Sequence, residues 1–72
     1  MDYEMIITFV CDAMVVIQDT VDSMPYADTY KKGEIERIDI LDEHNGTIHV
    51  QFEDGTVGWI KLRHVTLELI EE

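Results

Sequence analysis

The second half of the chain alternates apolar and polar residues with the period of two that is typical of a half-buried β-strand. The alternation is unbroken in Thr47–Phe52, which predicts Ile48, Val50 and Phe52 on the core face. Asn45-Gly46 comes directly before this run, and that dipeptide tolerates the positive φ angles of a tight hairpin turn. We therefore predict an antiparallel hairpin centred on this turn.

Turn signals divide the remainder of this half into further strands. Asp54-Gly55 marks a second hairpin, and residues 62–65 have the composition of one tight helical turn. The predicted strands are 33–41, 47–53, 56–61 and 66–70. In 33–41 the apolar face changes near Glu36-Arg37, which predicts a β-bulge there. The predicted core also includes Ile35, Ile38 and Val65.

The first half gives weaker signals. Residues 13–18 are β-branched and apolar, which predicts the first strand of the set. The apolar stretch Met5 to Cys11 is either an extension of that strand or a separate strand. Residues 19–32, which include Pro25 and Asp28, have the composition of a long, mostly irregular loop. A loop of this length in a small domain is more often a binding element than a plain connection.

These elements predict an all-β fold in a single domain spanning 1–72. A first strand, a long loop, three hairpin-linked strands, a helical turn and a last strand are the parts of a small five-stranded Src-homology-3-like barrel, here with residues 1–12 as an N-terminal strand or extension. The apolar segment Met5–Val10 either lies across its own barrel or pairs with a second copy. We expect a homodimer, because a chain of 72 residues has a thin core.

Several short runs resemble a known group of proteins. They are Val15-Val16-Ile17, Gly33-Glu34-Ile35, Ile38-Asp39, Gly46 to Val50 and Phe52 to Thr56. The pattern resembles small uncharacterised Src-homology-3-like barrels of bacteria, phages and other mobile elements, and more distantly Tudor-like barrels. The resemblance implies a five-stranded barrel, often of mobile-element origin, and brings no catalytic residue with it.

The charge of the chain narrows the class of partner. Sixteen acidic side chains stand against five basic ones, for a net charge of -11. This charge disfavours direct binding to nucleic acids and to anionic membranes, so we expect a protein partner with a basic surface.

The carboxylates themselves have two interpretations. In the first, a carboxylate-rich surface imitates a phosphate backbone and inhibits a host nucleic-acid-binding or defence protein such as a nuclease. In the second, the acidic excess only keeps the protein soluble. The candidate surface carboxylates are Glu34, Glu36, Asp39, Asp42, Glu43, Glu53 and Asp54.

An alternative function uses the aromatic residues. Trp59 with Tyr3, Tyr26 and Tyr30 lines a groove for a peptide, beside the 19–32 loop, in a generic peptide-binding or structural adaptor. The competing interpretation is that Trp59 packs on the core or at a dimer contact.

No constellation for catalysis is present. Cys11 is the single cysteine, so a disulfide framework is excluded within the chain, and the three histidines lack the spacing of a zinc site. We predict no enzyme activity, no cofactor and no metal. The apolar stretch Met5 to Ile17 is interrupted by Asp12 and is too short to cross a bilayer. We expect a protein of the cytoplasm of a bacterial or infected host cell.

Overall fold

A single antiparallel sheet organises residues 5–20 and 22–70, which are the residues that the computed structural model describes. Its strands are β1 Met5–Phe9, β2 Ala13–Gln18, β3 Tyr26–Tyr30, β4 Ile35–His44, β5 Thr47–Phe52, β6 Val57–Lys61 and β7 Val65–Leu69. Their order in the sheet is β3-β2-β6-β5-β4-β1-β7. The all-β class is confirmed, but the described residues form seven strands, where five barrel strands and an N-terminal strand or extension were predicted. Within the described residues, no helix is long and apolar enough to cross a membrane.

The apolar N-terminal stretch forms a strand of its own. β1 pairs with β4 on one side and with β7 on the other, so that Ile7 lies opposite both Glu36 and Leu67. Ile7 and Phe9 are fully buried. The stretch therefore packs within its own sheet. The homodimer stays a prediction, but this segment no longer provides an argument for it. Tyr3 and the rest of 1–4 lie outside the described residues.

The prediction of an irregular segment over 19–32 is wrong for its second half, which forms β3. This strand pairs with β2 from Ala13 opposite Tyr30 to Ile17 opposite Tyr26. Tyrosine and threonine favour strands, and the connection is closed by the Ser23 hydroxyl, which donates to the carbonyl of Thr20 at 2.9 Å. The strand was concealed by the turn-forming residues directly before it and by Asp28 at its centre.

Two expectations about β4 are also wrong. The bulge lies between Ile40 and Asp42 rather than near Glu36-Arg37. Ile35, predicted in the core, is 62% exposed. The cause is that Glu36 lies opposite buried Ile7, so the core face of β4 runs through Glu36 and Ile38 without interruption. A carboxylate therefore occupies the inward position at the start of this strand.

The sheet is strongly curled around its core. The rings of Phe9 and Tyr30 stack with their centroids 4.6 Å apart, although β1 and β3 are five strand positions apart. In a flat sheet the two strands would be about 24 Å apart. The Gly33 amide also donates to the Phe9 carbonyl at 2.7 Å, which ties β1 to the turn after β3. The enclosed core consists of Ile7, Phe9, Ala13, Val15, Ile17, Ile38, Ile48, Val50, Phe52, Ile60 and Val65.

Most of the predicted core is confirmed. Ile38, Ile48, Val50, Phe52 and Val65 are all buried. The helical turn predicted at 62–65 is also present, as a 3₁₀ turn at Leu62–His64.

Phe52 and Ile35 should respond differently to truncation, because only the first is enclosed. Phe52→Ala should lower the free energy of unfolding by about 3–5 kcal/mol, whereas Ile35→Ala should lower it by less than about 1 kcal/mol. Urea unfolding followed by circular dichroism measures both. Equal losses in the two variants would contradict the assignment of faces on β4.

Candidate functional site

A cleft opens between the β2–β3 hairpin and the turn that joins β5 to β6. Its volume is about 220 Å³. We call it the tyrosine cleft; the residues that line it are Ile17, Tyr26, Asp28, Tyr30, Glu36, Phe52, Glu53, Asp54 and Thr56. It combines aromatic surface with four carboxylates, and no lysine or arginine is among the described residues that line it.

The period of β3 explains why its residues meet here. Tyr26, Asp28 and Tyr30 occupy alternate positions, so their side chains project from one face of the strand. The Tyr30 ring stacks on Phe9 at 4.6 Å and on Phe52 at 6.2 Å, which fixes it at the border between core and cleft. The Tyr26 hydroxyl donates to Asp19 at 3.1 Å, just outside the cleft. One wall is therefore aromatic and held in place.

The carboxylates of the cleft repel one another. Partial burial raises the pKa of Glu36 above its ordinary value, and the nearby charges of Asp54, Glu34 and Glu53 raise it further. Loss of hydration also raises the pKa of Tyr30 to about 12, with Glu36 as the next cause. These shifts have the sign expected of a site with negative potential and no cation to balance it.

Asp54 is the exception, because its neighbours stabilise the charged form. The Thr56 hydroxyl donates to Asp54 Oδ1 at 2.7 Å and the Thr56 amide donates to the same oxygen at 3.0 Å. These bonds lower the pKa of Asp54. An ionised carboxylate is therefore fixed at the mouth of the cleft.

A second depression, of about 380 Å³, lies on the outer face of the sheet. Trp59 and His49 stack there in parallel at 4.6 Å, beside Asp42 and Glu43. Trp59 and its neighbour Ile60 point to opposite faces, and Ile60 is in the core. The structure thus separates Trp59 from Tyr26 and Tyr30, which contradicts the predicted groove that combined them.

The two remaining candidate carboxylates lie elsewhere. Glu34 accepts a hydrogen bond from the amide of Lys31 at 2.6 Å and belongs to the turn before β4. Asp39 lies opposite Gln51 on the outer face. Along β4, Glu36 and Asp42 are six residues apart, which corresponds to about 20 Å. The seven candidate carboxylates consequently do not form one continuous row.

Sequence reasoning missed Asp28 and Thr56. The alternation of Tyr26, Asp28 and Tyr30 was the signal available for Asp28, and it was obscured by the turn residues before it. Thr56 carries no signal of its own, since its role depends on the turn geometry at Asp54.

The described part of the chain contains no group of side chains suited to bind a metal ion. Over residues 5–20 and 22–70, no three His, Cys, Asp or Glu side chains lie close enough to hold a metal ion together.

Comparisons with protein-family models, with curated proteins and with solved structures found no match. The chemistry of the tyrosine cleft is thus the available guide to its ligand.

Glu36 makes the stability of this protein depend on pH. Its pKa is raised by folding, so the folded state binds the proton more tightly, and the stability gained from protonation is lost as pH rises through the folded pKa. Glu36→Gln should therefore raise the melting temperature at pH 7, and the gain should vanish below about pH 4, where the glutamate is protonated in both states. Thermal unfolding across this pH range measures the effect.

Glu43→Gln is the matched control, because it removes the same charge from the exposed end of β4. A gain at pH 7 as large in this variant as in Glu36→Gln would show that net charge, and not the cleft, is responsible.

Proposed function

We propose that this protein is a non-catalytic binding module that holds a basic segment of a protein partner in the tyrosine cleft. The observation that carries the proposal is the pairing of two tyrosine rings with Asp28, Glu36, Glu53 and Asp54 around one opening. A bound cation relieves the repulsion among these carboxylates, so binding is favoured by the same charges that oppose one another in the free protein.

The chemistry of the cleft suits a lysine or arginine side chain. The ring of Tyr26, which is 46% exposed, can attract a cation through its quadrupole, and hydrogen bonds from an ammonium or guanidinium to carboxylates are the stronger kind. The volume of about 220 Å³ is below the roughly 300–1,000 Å³ of pockets for drug-sized ligands. We therefore assign the cleft to single side chains of a partner rather than to a free small molecule.

The fold supports a binding role for this face. We assign the curled sheet to the small barrels of the Src-homology-3-like kind, as the resemblance noted above implies. The support is the stack of Phe9 on Tyr30 and the order of elements, with a β2–β3 hairpin, a three-strand meander β4–β6, the 3₁₀ turn Leu62–His64 and a last strand. In such a barrel the long hairpin is a natural binding element.

A second candidate function is inhibition of a nucleic-acid-binding partner, such as a nuclease, in a bacterial or infected host cell. The excess of 16 acidic over 5 basic side chains favours it. In this version Asp42 and Glu43 at the far end of β4 contact the partner together with the cleft. Duplex DNA would then compete with this protein for the partner.

Neutralising the cleft should weaken binding more than neutralising an equal charge elsewhere. The probe is a short synthetic peptide in which arginine alternates with threonine, and its affinity is measured by calorimetry. The double variant Asp28→Asn/Glu36→Gln should lower the affinity about tenfold or more, equivalent to about 1.4 kcal/mol. Asp42→Asn/Glu43→Gln removes the same two charges at the other end of β4 and should change the affinity by less than about threefold.

Salt and a neutral peptide provide the controls. Affinity should fall as salt rises, since the attraction is between charges, and replacement of arginine by citrulline should abolish binding. Equal losses in the two double variants would show that the overall field, rather than the cleft, holds the peptide. Equal binding of the arginine and citrulline peptides would refute the proposed function.

A further inference from the structure

β3 lies at one end of the sheet order and, among the described strands, pairs only with β2. Residues Tyr26–Thr29 are all exposed. An edge strand presents backbone amides and carbonyls that can pair with another chain. The hydrogen bonds elsewhere in the sheet determine which of these groups face outward.

The alternation of hydrogen-bonded and non-hydrogen-bonded residue pairs can be followed across the sheet, starting from the β5–β6 hairpin. The Phe52 amide donates to the Thr56 carbonyl at 2.8 Å, so these residues form a hydrogen-bonded pair. Bonded and non-bonded pairs alternate along an antiparallel ladder. His49 and Trp59 face each other three positions further along both strands, so they are a non-hydrogen-bonded pair. The backbone of Trp59 therefore bonds to the strand on its other side, β2.

The same alternation continues to the edge. Trp59 pairs with Val16, so the Val16 amide and carbonyl point towards β6 and away from β3. Ala27, the partner of Val16 on β3, is then a non-hydrogen-bonded partner whose amide and carbonyl point to the free edge. Thr29, two residues further on, shares this orientation. β3 thus offers the backbone groups of Ala27 and Thr29 to an incoming strand.

Asp28 links this edge to the cleft. Its carboxylate accepts a hydrogen bond from the outward-facing amide of Thr29 at 2.9 Å, and the same residue lines the tyrosine cleft. An incoming carbonyl that takes the Thr29 amide would release the Asp28 carboxylate for a cation. The side chains of Tyr26 and Tyr30 stand on either side of Asp28 on this face.

We propose that the basic segment binds as an added antiparallel strand along β3, paired with Ala27 and Thr29, with a lysine or arginine opposite Asp28 directed into the cleft. This inference rests on the proposed function. The pair at Asp28 is of the non-hydrogen-bonded kind, in which opposing Cα atoms are only about 4.5 Å apart. The cation is thereby delivered to the carboxylates, and its neighbours in the segment lie on the outer face.

Charge selects a basic segment over a second copy of this chain. Two β3 strands paired antiparallel about their centres would place Asp28 opposite Asp28, and like charges directly opposite are destabilising. β7, at the other end of the sheet order, carries Glu68, so the register that pairs Glu68 with Asp28 would also place like charges opposite each other. A segment that alternates cationic and small residues meets neither obstacle.

Backbone methylation of the probe peptide tests the arrangement without altering the protein. In the peptide of alternating arginine and threonine, an arginine opposite Asp28 directs its amide to solvent, and the threonines direct theirs to β3. N-methylation of the threonine amides should lower the affinity about tenfold or more, and N-methylation of the arginine amides should change it by less than about threefold. Amide exchange at Ala27 and Thr29 should slow when the parent peptide binds.

Each outcome is decisive. If both methylated peptides bind as tightly as the parent, strand addition is refuted while the charge-based proposal stands. If the arginine-methylated peptide is the weaker one, the stated register is refuted. If the parent peptide does not bind, or if the citrulline peptide binds as well as the parent, the proposed function fails, and this inference fails with it.

Discussion

The stack of Phe9, Tyr30 and Phe52 is the contact on which the shape of this protein depends. It joins β1, β3 and β5, none of which are neighbours in the sheet. Without it, the β2–β3 hairpin would keep its pairing with β6 and the hydrogen bond from Gly33 to Phe9, but it would lose the ring contacts that hold β3 over the core. With it, the hairpin folds back over the core, and the inward face of β3 becomes one wall of the cleft. Tyr30 and Phe52 therefore both close the core and line the cleft.

The charged carboxylates beside this stack destabilise the folded state. Glu36 occupies an inward position opposite Ile7, where an apolar residue would pack better, and its raised pKa shows that the charged form is disfavoured there. Sites that break the local rules of a fold in this way are typical of function. In the proposed function, a bound cation resolves this conflict, since it satisfies the carboxylates without changing the sheet.

The sequence alone predicts those parts of the fold that local pattern controls. The unbroken alternation of Thr47–Phe52 and the Asn45-Gly46 turn place β5 correctly, and Asn45 has the positive φ of 52° that the turn requires. The same reasoning places Ile35 and Glu36 on the wrong faces of β4. The pairing register with β1, and not the hydrophobicity of the two residues, decides which of them points towards the core. The cleft could not be predicted, because its walls meet only when the curl brings β3 beside the β5–β6 turn. Asp28 was therefore interpreted as a turn residue, although its spacing from Tyr26 and Tyr30 is that of a strand.

The location of the site on β3 follows from how little of that strand is buried. A strand in the middle of the sheet has both edges paired, so it has no backbone groups to offer to an incoming strand. β3 has one free edge, and only Tyr30 among its residues is even partly buried. Asp28 protects that edge by covering the Thr29 amide, and edge strands that carry such a charge resist pairing with strands of the same sign. In the proposed binding mode, the residue that keeps the edge from indiscriminate pairing is also the one that selects a basic strand, so protection and recognition are two effects of a single carboxylate.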